Sequence, residues 1–184
     1  MDYFNQLLGS YDRFRPTYNG RKIYAIDGKN AYIPRSEELE KLGFVGRVLS
    51  KYRESYFLRM HITHAYDVLS GTSKAIRVGA IKDEVKDAIS MIKKFEKFSI
   101  TLYDRLYLCK KLIRAHIKAK NSFLMRAKKD STLKEIVSFR KSKKTTDIFL
   151  FEGQRLYLYR VNKKKTNPKE DSYALFVSAL SPAK

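Results

Sequence analysis

The sequence predicts an α/β layer fold, and three observations support it. Between residues 21 and 125, segments of strand character and segments of helical spacing follow one another as strand, hairpin, helix, strand, helix, strand. The apolar fraction of 43% and the aromatic fraction of 13% are sufficient for a packed core. The length of 184 residues suits one domain, or one domain with an inserted segment.

The first predicted strand, residues 21–26, is rich in apolar and aromatic side chains and ends at Asp27, with Gly28 as a turn. A short amphipathic helix ending at Pro16 is predicted before it. An unpaired charge at the mouth of a buried strand costs on the order of several kcal/mol. We therefore expect a metal ion or a basic group beside Asp27. The alternative is an Asp27 that caps a tight Asp-Gly turn.

The next elements are predicted from periodicity and capping residues. Alternating side chains indicate strands, apolar spacing of three and four indicates helices, and Ser36 and Asp83 are typical helix N-caps. In chain order the elements are a helical turn at 36–42, a hairpin of strands 56–66 and 74–80, a helix at 85–95, a strand at 99–103, a helix at 108–117 and a strand at 122–125.

A second carboxylate, Asp104, directly follows the predicted strand at 99–103. The functional interpretation depends on Asp27 and Asp104 meeting in space. The alternative for Asp104 is an N-cap of the helix that follows it. Arg105, next in the chain, is predicted to contact a phosphate or a carboxylate, against the alternative of a plain surface charge.

From residue 127 the chain becomes strongly basic and rich in predicted strands, with a hairpin around Glu152-Gly153 and a last strand at 173–179. Residues 110–184 hold 20 basic and 6 acidic side chains, and the whole chain has a net charge of +20. Such an excess favours nucleic acid over an anionic membrane as partner. The candidate DNA-binding residues are Arg105, Arg126, Lys128, Lys129, Arg140, Lys141, Lys143, Lys144, Lys163, Lys164 and Lys165.

Other classes of protein are disfavoured by what the sequence lacks. No apolar run approaches the roughly 18–20 residues of a membrane-spanning helix, so no membrane partner is expected. Cys109 is the single cysteine, which excludes an intramolecular disulfide and a cysteine-based zinc site. The residues at the N-terminus do not resemble a secretory signal, and we predict a cytoplasmic protein.

Five segments, in the right order, resemble the DDE transposases of bacterial insertion sequences, in the insertion-sequence-four group. Tyr24-Ala25-Ile26-Asp27-Gly28 resembles the first catalytic motif of that family. The second, usually Asp-Arg-Gly-Tyr, is similar to residues 102–107, where Leu106 replaces the glycine. The other similar segments are a second-strand segment at 65–71, the acidic start of a helix at 82–84 and a strand ending in Arg126 at 123–126.

The resemblance implies a ribonuclease-H-like mixed sheet flanked by helices, with a basic β-rich insertion near the C-terminus. The expected division is an N-terminal helical segment at 1–20, a core at 21–126, the insertion at 127–179 and a tail at 180–184.

The resemblance also implies chemistry and partners. Asp27 and Asp104 would be catalytic carboxylates that bind Mg²⁺ or Mn²⁺, and the partner would be DNA, both transposon ends and target. Hard divalent cations take carboxylate oxygens as ligands and promote phosphodiester cleavage and strand transfer. A homodimer through the full-length protein is a further expectation.

One departure from the family is expected to matter. The third catalytic glutamate lies on a helix with a Tyr-Arg-Glu-Lys signature, and nothing of that kind follows Ala179. The chain is therefore interpreted as an incomplete or remnant transposase that binds DNA, and its enzymatic competence is left open. The alternatives are a non-catalytic nucleic-acid-binding protein derived from a transposase and an RNA-binding accessory domain.

Overall fold

The computed structural model describes residues 16–50, 53–80, 82–163 and 172–182. The helix predicted before Pro16 lies outside these residues, as do Lys164 and Lys165.

Strands dominate the described residues, in which nine strands form one mixed sheet. In chain order they are β1 (Ile23–Ile33), β2 (Val45–Ser50), β3 (Arg53–Asp67), β4 (Thr72–Gly79), β5 (Ile100–Tyr103), β6 (Ser122–Arg126), β7 (Thr146–Phe151), β8 (Gln154–Asn162) and β9 (Tyr173–Ser178). The order across the sheet is β2-β3-β1-β5-β6-β9-β8-β7, and β4 also pairs with β3. β1, β5 and β6 run parallel to one another, whereas every other pair is antiparallel.

Four helices connect these strands in the described part of the chain: α1 (Glu37–Lys41), α2 (Glu84–Ile92), α3 (Lys110–Ala119) and α4 (Lys134–Lys141). Both predicted N-caps are confirmed, because the Ser36 side chain accepts from the Leu39 amide and Asp83 accepts from the Lys86 amide. None of these helices is long and apolar enough to cross a membrane.

The core lies on one face of the sheet. Side chains directly opposite one another on paired strands share a face, and one such row is buried throughout: Ile26, Tyr103, Met125, Val177 and Leu158. α3 packs on this row, with the Tyr103 hydroxyl 2.9 Å from Nε2 of His116. α4 adds Ile136 and Phe139 to the same core.

The opposite face is more open. Its corresponding row over the parallel strands, Ala25, Leu102 and Leu124, is half-buried. Further out, on the edge strand β7, the side chains of Ile148 and Leu150 are 57% and 70% exposed. The structure thus confirms the predicted fold class, a mixed sheet with helices against it.

β1 differs from its prediction, because it runs past Asp27 to Ile33 instead of turning at Gly28. The long strand β3 pairs with β1 from Tyr24 to Ile33, so the ladder keeps the backbone extended. Gly28 accordingly lacks the positive φ of a turn glycine. The expectation of a strand end at Asp27 is wrong in this respect.

Two other elements were not predicted, β2 and α4. The segment that forms α4 is rich in lysine and arginine, and only two of its side chains, Ile136 and Phe139, are buried. The hairpin around Glu152-Gly153 is confirmed as β7–β8, and its strands continue the same sheet as the parallel strands through β9.

Replacing Arg160 with methionine is expected to lower the free energy of unfolding by about 2 kcal/mol. The Arg160 guanidinium donates to the carbonyls of Phe139 (2.8 Å) and Arg140 (3.2 Å) at the end of α4. It also lies over the rings of Phe139 and Tyr173, at 5.3 and 4.8 Å from their centroids. Hydrogen bonds from a charged donor and cation–π contacts each contribute about 1 kcal/mol or more.

Urea unfolding would measure this effect. Arg155→Met is the matched control, since Arg155 is exposed on the same strand, and its stability should stay within about 0.5 kcal/mol of the unsubstituted chain. Equal stabilities of the two variants would contradict the assigned role of Arg160.

Candidate metal centre

Asp27 and Asp104 are brought to the same edge of the sheet by parallel strands. β1 and β5 pair in parallel from Ile23–Ile100 to Ile26–Tyr103, and the two aspartates are the next residue on each strand. Neighbouring strands lie about 4.8 Å apart, and both side chains are solvent-exposed. Carboxyl ends of parallel strands are common locations for ligand sites. The arrangement therefore gives a hard cation access to two adjacent carboxylates.

Each aspartate has a different local partner. The Gly28 amide donates to Oδ1 of Asp27 at 2.9 Å, which leaves Oδ2 outside that bond. Asp104 faces Arg126, whose Nη1 lies 4.0 Å from Asp104 Oδ1 at the end of β6. The basic partner was expected beside Asp27, whose side chain is instead exposed, and the ion pair with Arg126 is made by Asp104. Both side chains of this ion pair are substantially exposed, at 52% for Asp104 and 40% for Arg126, so the pair is weak.

A third carboxylate, Glu84, lies behind β1 and was given no site role from the sequence. A Cβ atom added at Gly28 would meet the Glu84 side chain, with Oε1 at 2.5 Å, so this glycine makes room for Glu84. Glu84 is only 11% exposed and pairs with Lys82 Nζ at 3.1 Å. A glycine beside an aspartate is a weak signal for such a contact, since it is also typical of a turn.

Tyr107 is buried three residues after Asp104. Its side chain is 1% exposed, and its ring lies 5.1 Å from that of Tyr103. Burial, followed by the negative charges of Glu84, Asp27, Asp87 and Asp104, raises the pKa of the Tyr107 hydroxyl far above its usual value. The hydroxyl has no hydrogen-bond partner among the described residues. Tyr107 is the last residue of the second motif, at 102–107, for which the sequence predicted no separate role.

A polar network fixes the start of α2, which carries Glu84. Thr63 donates to Oδ2 of Asp87 at 2.8 Å, and Arg77 donates to Oδ1 of the same carboxylate at 2.9 Å. His61 lies beside it, 3.1 Å from Oδ1 of Asn30 and 3.2 Å from the Thr63 hydroxyl. These polar side chains form hydrogen bonds with one another, which explains how they can be buried against β3.

The two histidines of β3 lie on opposite faces of the strand. His61 is buried in the network above, whereas the His64 ring lies within hydrogen-bonding distance of the Ser73 hydroxyl. Within the described ranges, no three side chains of His, Cys, Asp or Glu are grouped closely enough to hold a metal ion between them. A cation at Asp27 and Asp104 would therefore complete its coordination with water or with oxygens of a substrate, as Mg²⁺ commonly does.

The candidate DNA-binding side chains differ in their partners and in their exposure to solvent. Arg140 donates to the backbone carbonyls of Lys128 and Lys129 and so also holds the segment after β6. Lys144 pairs with Asp147 at 3.2 Å. The side chains left exposed to solvent include Arg105, Lys129, Lys141, Lys143 and Lys144, whereas Arg126, Lys128, Arg140 and Lys163 are half-buried.

A cavity of about 410 Å³ opens between the start of α3 and the segment after β6. Its lining includes Lys110 and Lys128, together with the hydroxyl side chains of Ser131 and Thr132. Asp130 also lines the cavity, whereas neither Asp27 nor Asp104 does.

A known transposase structure shares this fold. A cryo-EM structure of the piggyBac transposase synaptic complex with hairpin DNA superposes with a TM-score of 0.50 at 13% identity, over 88% of this chain and 34% of that one. The chain therefore spans about a third of the length of that transposase. Ciona intestinalis endonuclease V in complex with a DNA containing inosine gives a TM-score of 0.34 at 9% identity, over 96% of this chain and 81% of that one.

Sequence comparison is decisive for the family. No curated protein matches the chain. The family described as the transposase DDE domain matches residues 18–181, which include every described strand and helix as well as both aspartates. The chain belongs to the transposase DDE domain family.

Proposed function

We propose that this chain is the core of an insertion-sequence transposase that binds a divalent cation on Asp27 and Asp104 and acts on DNA. The single observation that supports the proposal most is the register of β1 and β5, which sets the two aspartates side by side at an exposed edge. DNA cleavage and strand transfer would be reactions of the whole transposase.

The residues present fit Mg²⁺ or Mn²⁺. Two exposed carboxylates on adjacent parallel strands are hard oxygen donors of the kind these cations prefer. A cation bound there would polarise a phosphodiester and stabilise charge on the leaving oxygen. In this proposal Asp27 and Asp104 bind the cation, while Arg126 offsets the charge of Asp104 before the cation arrives.

DNA is the proposed partner. The net charge of +20 and the basic side chains near the carboxylate edge favour contacts to a phosphate backbone. The piggyBac structure is itself a complex with hairpin DNA. The residues proposed to contact DNA are Arg105, Arg126, Lys128, Lys129, Arg140, Lys141, Lys143, Lys144 and Lys163, followed in the chain by Lys164 and Lys165.

Finer assignments accompany this proposal. We place the chain in the insertion-sequence-four group, with a core at 21–126 and a basic insertion at 127–179, and we assign it to the cytoplasm. A homodimer formed through the full-length protein belongs to the same proposal. The rival is a nucleic-acid-binding protein without catalytic function, which would share the DNA contacts but would not depend on the two aspartates.

Millimolar Mn²⁺ is expected to raise the melting temperature of the chain by several degrees, because a ligand that binds only the folded state stabilises it. Asp27→Asn and Asp104→Asn should each remove most of this shift, since an amide replaces a charged ligand. Differential scanning calorimetry with and without Mn²⁺ would measure it.

The control is Asp147→Asn, whose carboxylate pairs with Lys144 at 3.2 Å on β7, away from the parallel strands. This variant should keep the full Mn²⁺ shift. If Asp27→Asn and Asp104→Asn also kept it, the cation site would lie elsewhere and the proposal would fail.

A further inference from the structure

A second cavity, of about 370 Å³, lies at the end of the parallel strands away from the two aspartates. Ser122, the first residue of β6, lines this cavity, whereas Arg126 at the other end of β6 pairs with Asp104. Four steps along a strand cover roughly 13 Å, so the cavity is separate from the candidate metal centre. Its volume falls within the range of about 300–1,000 Å³ that is typical of pockets for small organic ligands.

Phe98, which lines the cavity, has a backbone conformation that its residue type disfavours. Its φ of +65° lies in the left-handed region, where a bulky aromatic residue is rare. The Phe98 amide donates to the Lys120 carbonyl at 3.1 Å, which holds the backbone in place. The ring is 62% exposed, so burial does not offset the strain. Strained residues of this kind cluster at ligand-binding sites, and an exposed ring beside a cavity provides a surface on which a planar group can stack.

Asn121 gives the same cavity a polar side chain. This side chain is 5% exposed, and its Oδ1 has no hydrogen-bond partner within the described residues. Buried polar atoms are nearly always paired, so an unpaired amide in a cavity lining indicates a ligand that supplies the missing group. The Asn121 backbone amide donates to the His116 carbonyl at 3.1 Å, which fixes the residue at the end of α3.

The charge around the cavity is positive. Lys120 and Arg155 both line it and are both exposed, and no acidic residue belongs to the described lining. Ammonium and guanidinium groups bind phosphate strongly. An aromatic ring, a side-chain amide and two cations thus surround one cavity, and these groups are complementary to the base, the base edge and the phosphate of a nucleotide.

We propose that this cavity binds a single nucleotide, with its base against the Phe98 ring, the edge of the base on the Asn121 amide and its phosphate at Lys120 and Arg155. An asparagine amide pairs best with adenine, which makes an adenine nucleotide the expected ligand. A free nucleotide and an unpaired nucleotide of a DNA strand present the same groups. The inference needs neither aspartate of the metal centre and does not depend on a bound cation.

Deoxyadenosine monophosphate is expected to bind the unsubstituted chain, as measured by titration calorimetry without divalent cations. Phe98→Leu should bind it about tenfold more weakly, because stacking on the aromatic ring is lost. Phe98→Tyr should retain the affinity. The matched control is Phe57→Leu, which removes an exposed ring of β3 outside the cavity lining and should leave the affinity unchanged. Equal affinities of Phe98→Leu and Phe57→Leu would contradict the proposal.

Arg155→Met tests the phosphate contact in a chain whose fold does not depend on the exposed Arg155 side chain. This variant should bind deoxyadenosine monophosphate several-fold more weakly and deoxyadenosine, which lacks the phosphate, as tightly as the unsubstituted chain. The same loss for both ligands, or no loss for either, would contradict the assigned contact. An unchanged melting temperature of each variant shows that a loss of affinity is not a loss of folding.

Fluorescence anisotropy with two DNA duplexes separates the sources of the nucleotide. If the ligand is a strand end, a duplex with an unpaired 3′ adenosine should bind more tightly than the blunt duplex, and Phe98→Leu should remove the difference. If the ligand is a free nucleotide, the two duplexes should bind equally while deoxyadenosine monophosphate still binds. Failure of both the mononucleotide and the unpaired adenosine would overturn the inference and leave the Mn²⁺ proposal for Asp27 and Asp104 unaffected.

Discussion

Acidification from pH 7 to pH 4 is expected to destabilise the chain by about 3 kcal/mol through His116 alone. His116 on α3 is fully buried beneath the sheet, with Nε2 2.9 Å from the Tyr103 hydroxyl. Burial is the main cause that lowers its pKa to about 3, against an ordinary value of 6.5. Below pH 6.5 His116 binds a proton in the unfolded chain but stays neutral in the folded chain. The free energy of unfolding therefore falls as the pH decreases from 6.5 towards 3.

Urea unfolding at several pH values would test this. His116→Gln should remove about 1.4 kcal/mol per pH unit from the slope of stability against pH between pH 6 and pH 4. Ile113→Val, a neighbouring buried position on α3, controls for simple loss of packing: it should lower stability at every pH and leave the slope unchanged. An unchanged slope in His116→Gln would contradict the assignment.

The affinity for duplex DNA is expected to fall about 10³-fold between 50 and 200 mM salt. A protein that neutralises six or more phosphates loses roughly that much affinity, because each contact releases condensed counterions. Nine of the proposed contact residues lie in the described part of the chain, five of them exposed. Fluorescence anisotropy over a salt series would measure the slope of log affinity against log salt.

Replacing both Lys141 and Lys143 with alanine should reduce the magnitude of that slope by about 2. Lys141 is the last residue of α4 and Lys143 follows the helix, and both side chains are exposed. Lys118→Ala on α3 is the control, since this exposed lysine is not among the proposed contact residues and should leave the slope unchanged. Salt-independent binding, or a strong preference for single-stranded RNA, would contradict the proposed DNA contacts.

The sequence predicted a strand of apolar residues leading to each aspartate, because this signal is local to a few residues. The side-by-side placement of β1 and β5 was expected from the family resemblance and is observed, whereas the order of elements between them, which includes β2, β3 and β4, does not dictate it. The fold class was predicted for the same reason. The strand and helix patterns that define the fold class alternate in a regular order along the chain.

What the sequence did not reveal depends on contacts between distant residues. The extension of β1 to Ile33 is imposed by β3, more than twenty residues away. Glu84 belongs to the site only because Gly28 leaves space for it. The exposure and pairing of Arg140 depend on where α4 meets the carbonyls of Lys128 and Lys129. None of these contacts produces a periodic pattern or a motif in the sequence.

The position of β9 has a consequence for the order in which the protein can assemble during synthesis. β7 and β8 are made before β9, yet they reach the parallel strands only through it, because β9 pairs with β6 on one side and β8 on the other. Until Ser178 bonds to the Phe123 carbonyl, β6 has an unpaired edge and the β7–β8 hairpin has no strand partner in the rest of the sheet. Non-local pairing of this kind slows folding. The ribosome must therefore release residues 173–178 before the two halves of the sheet can close into one cooperative unit.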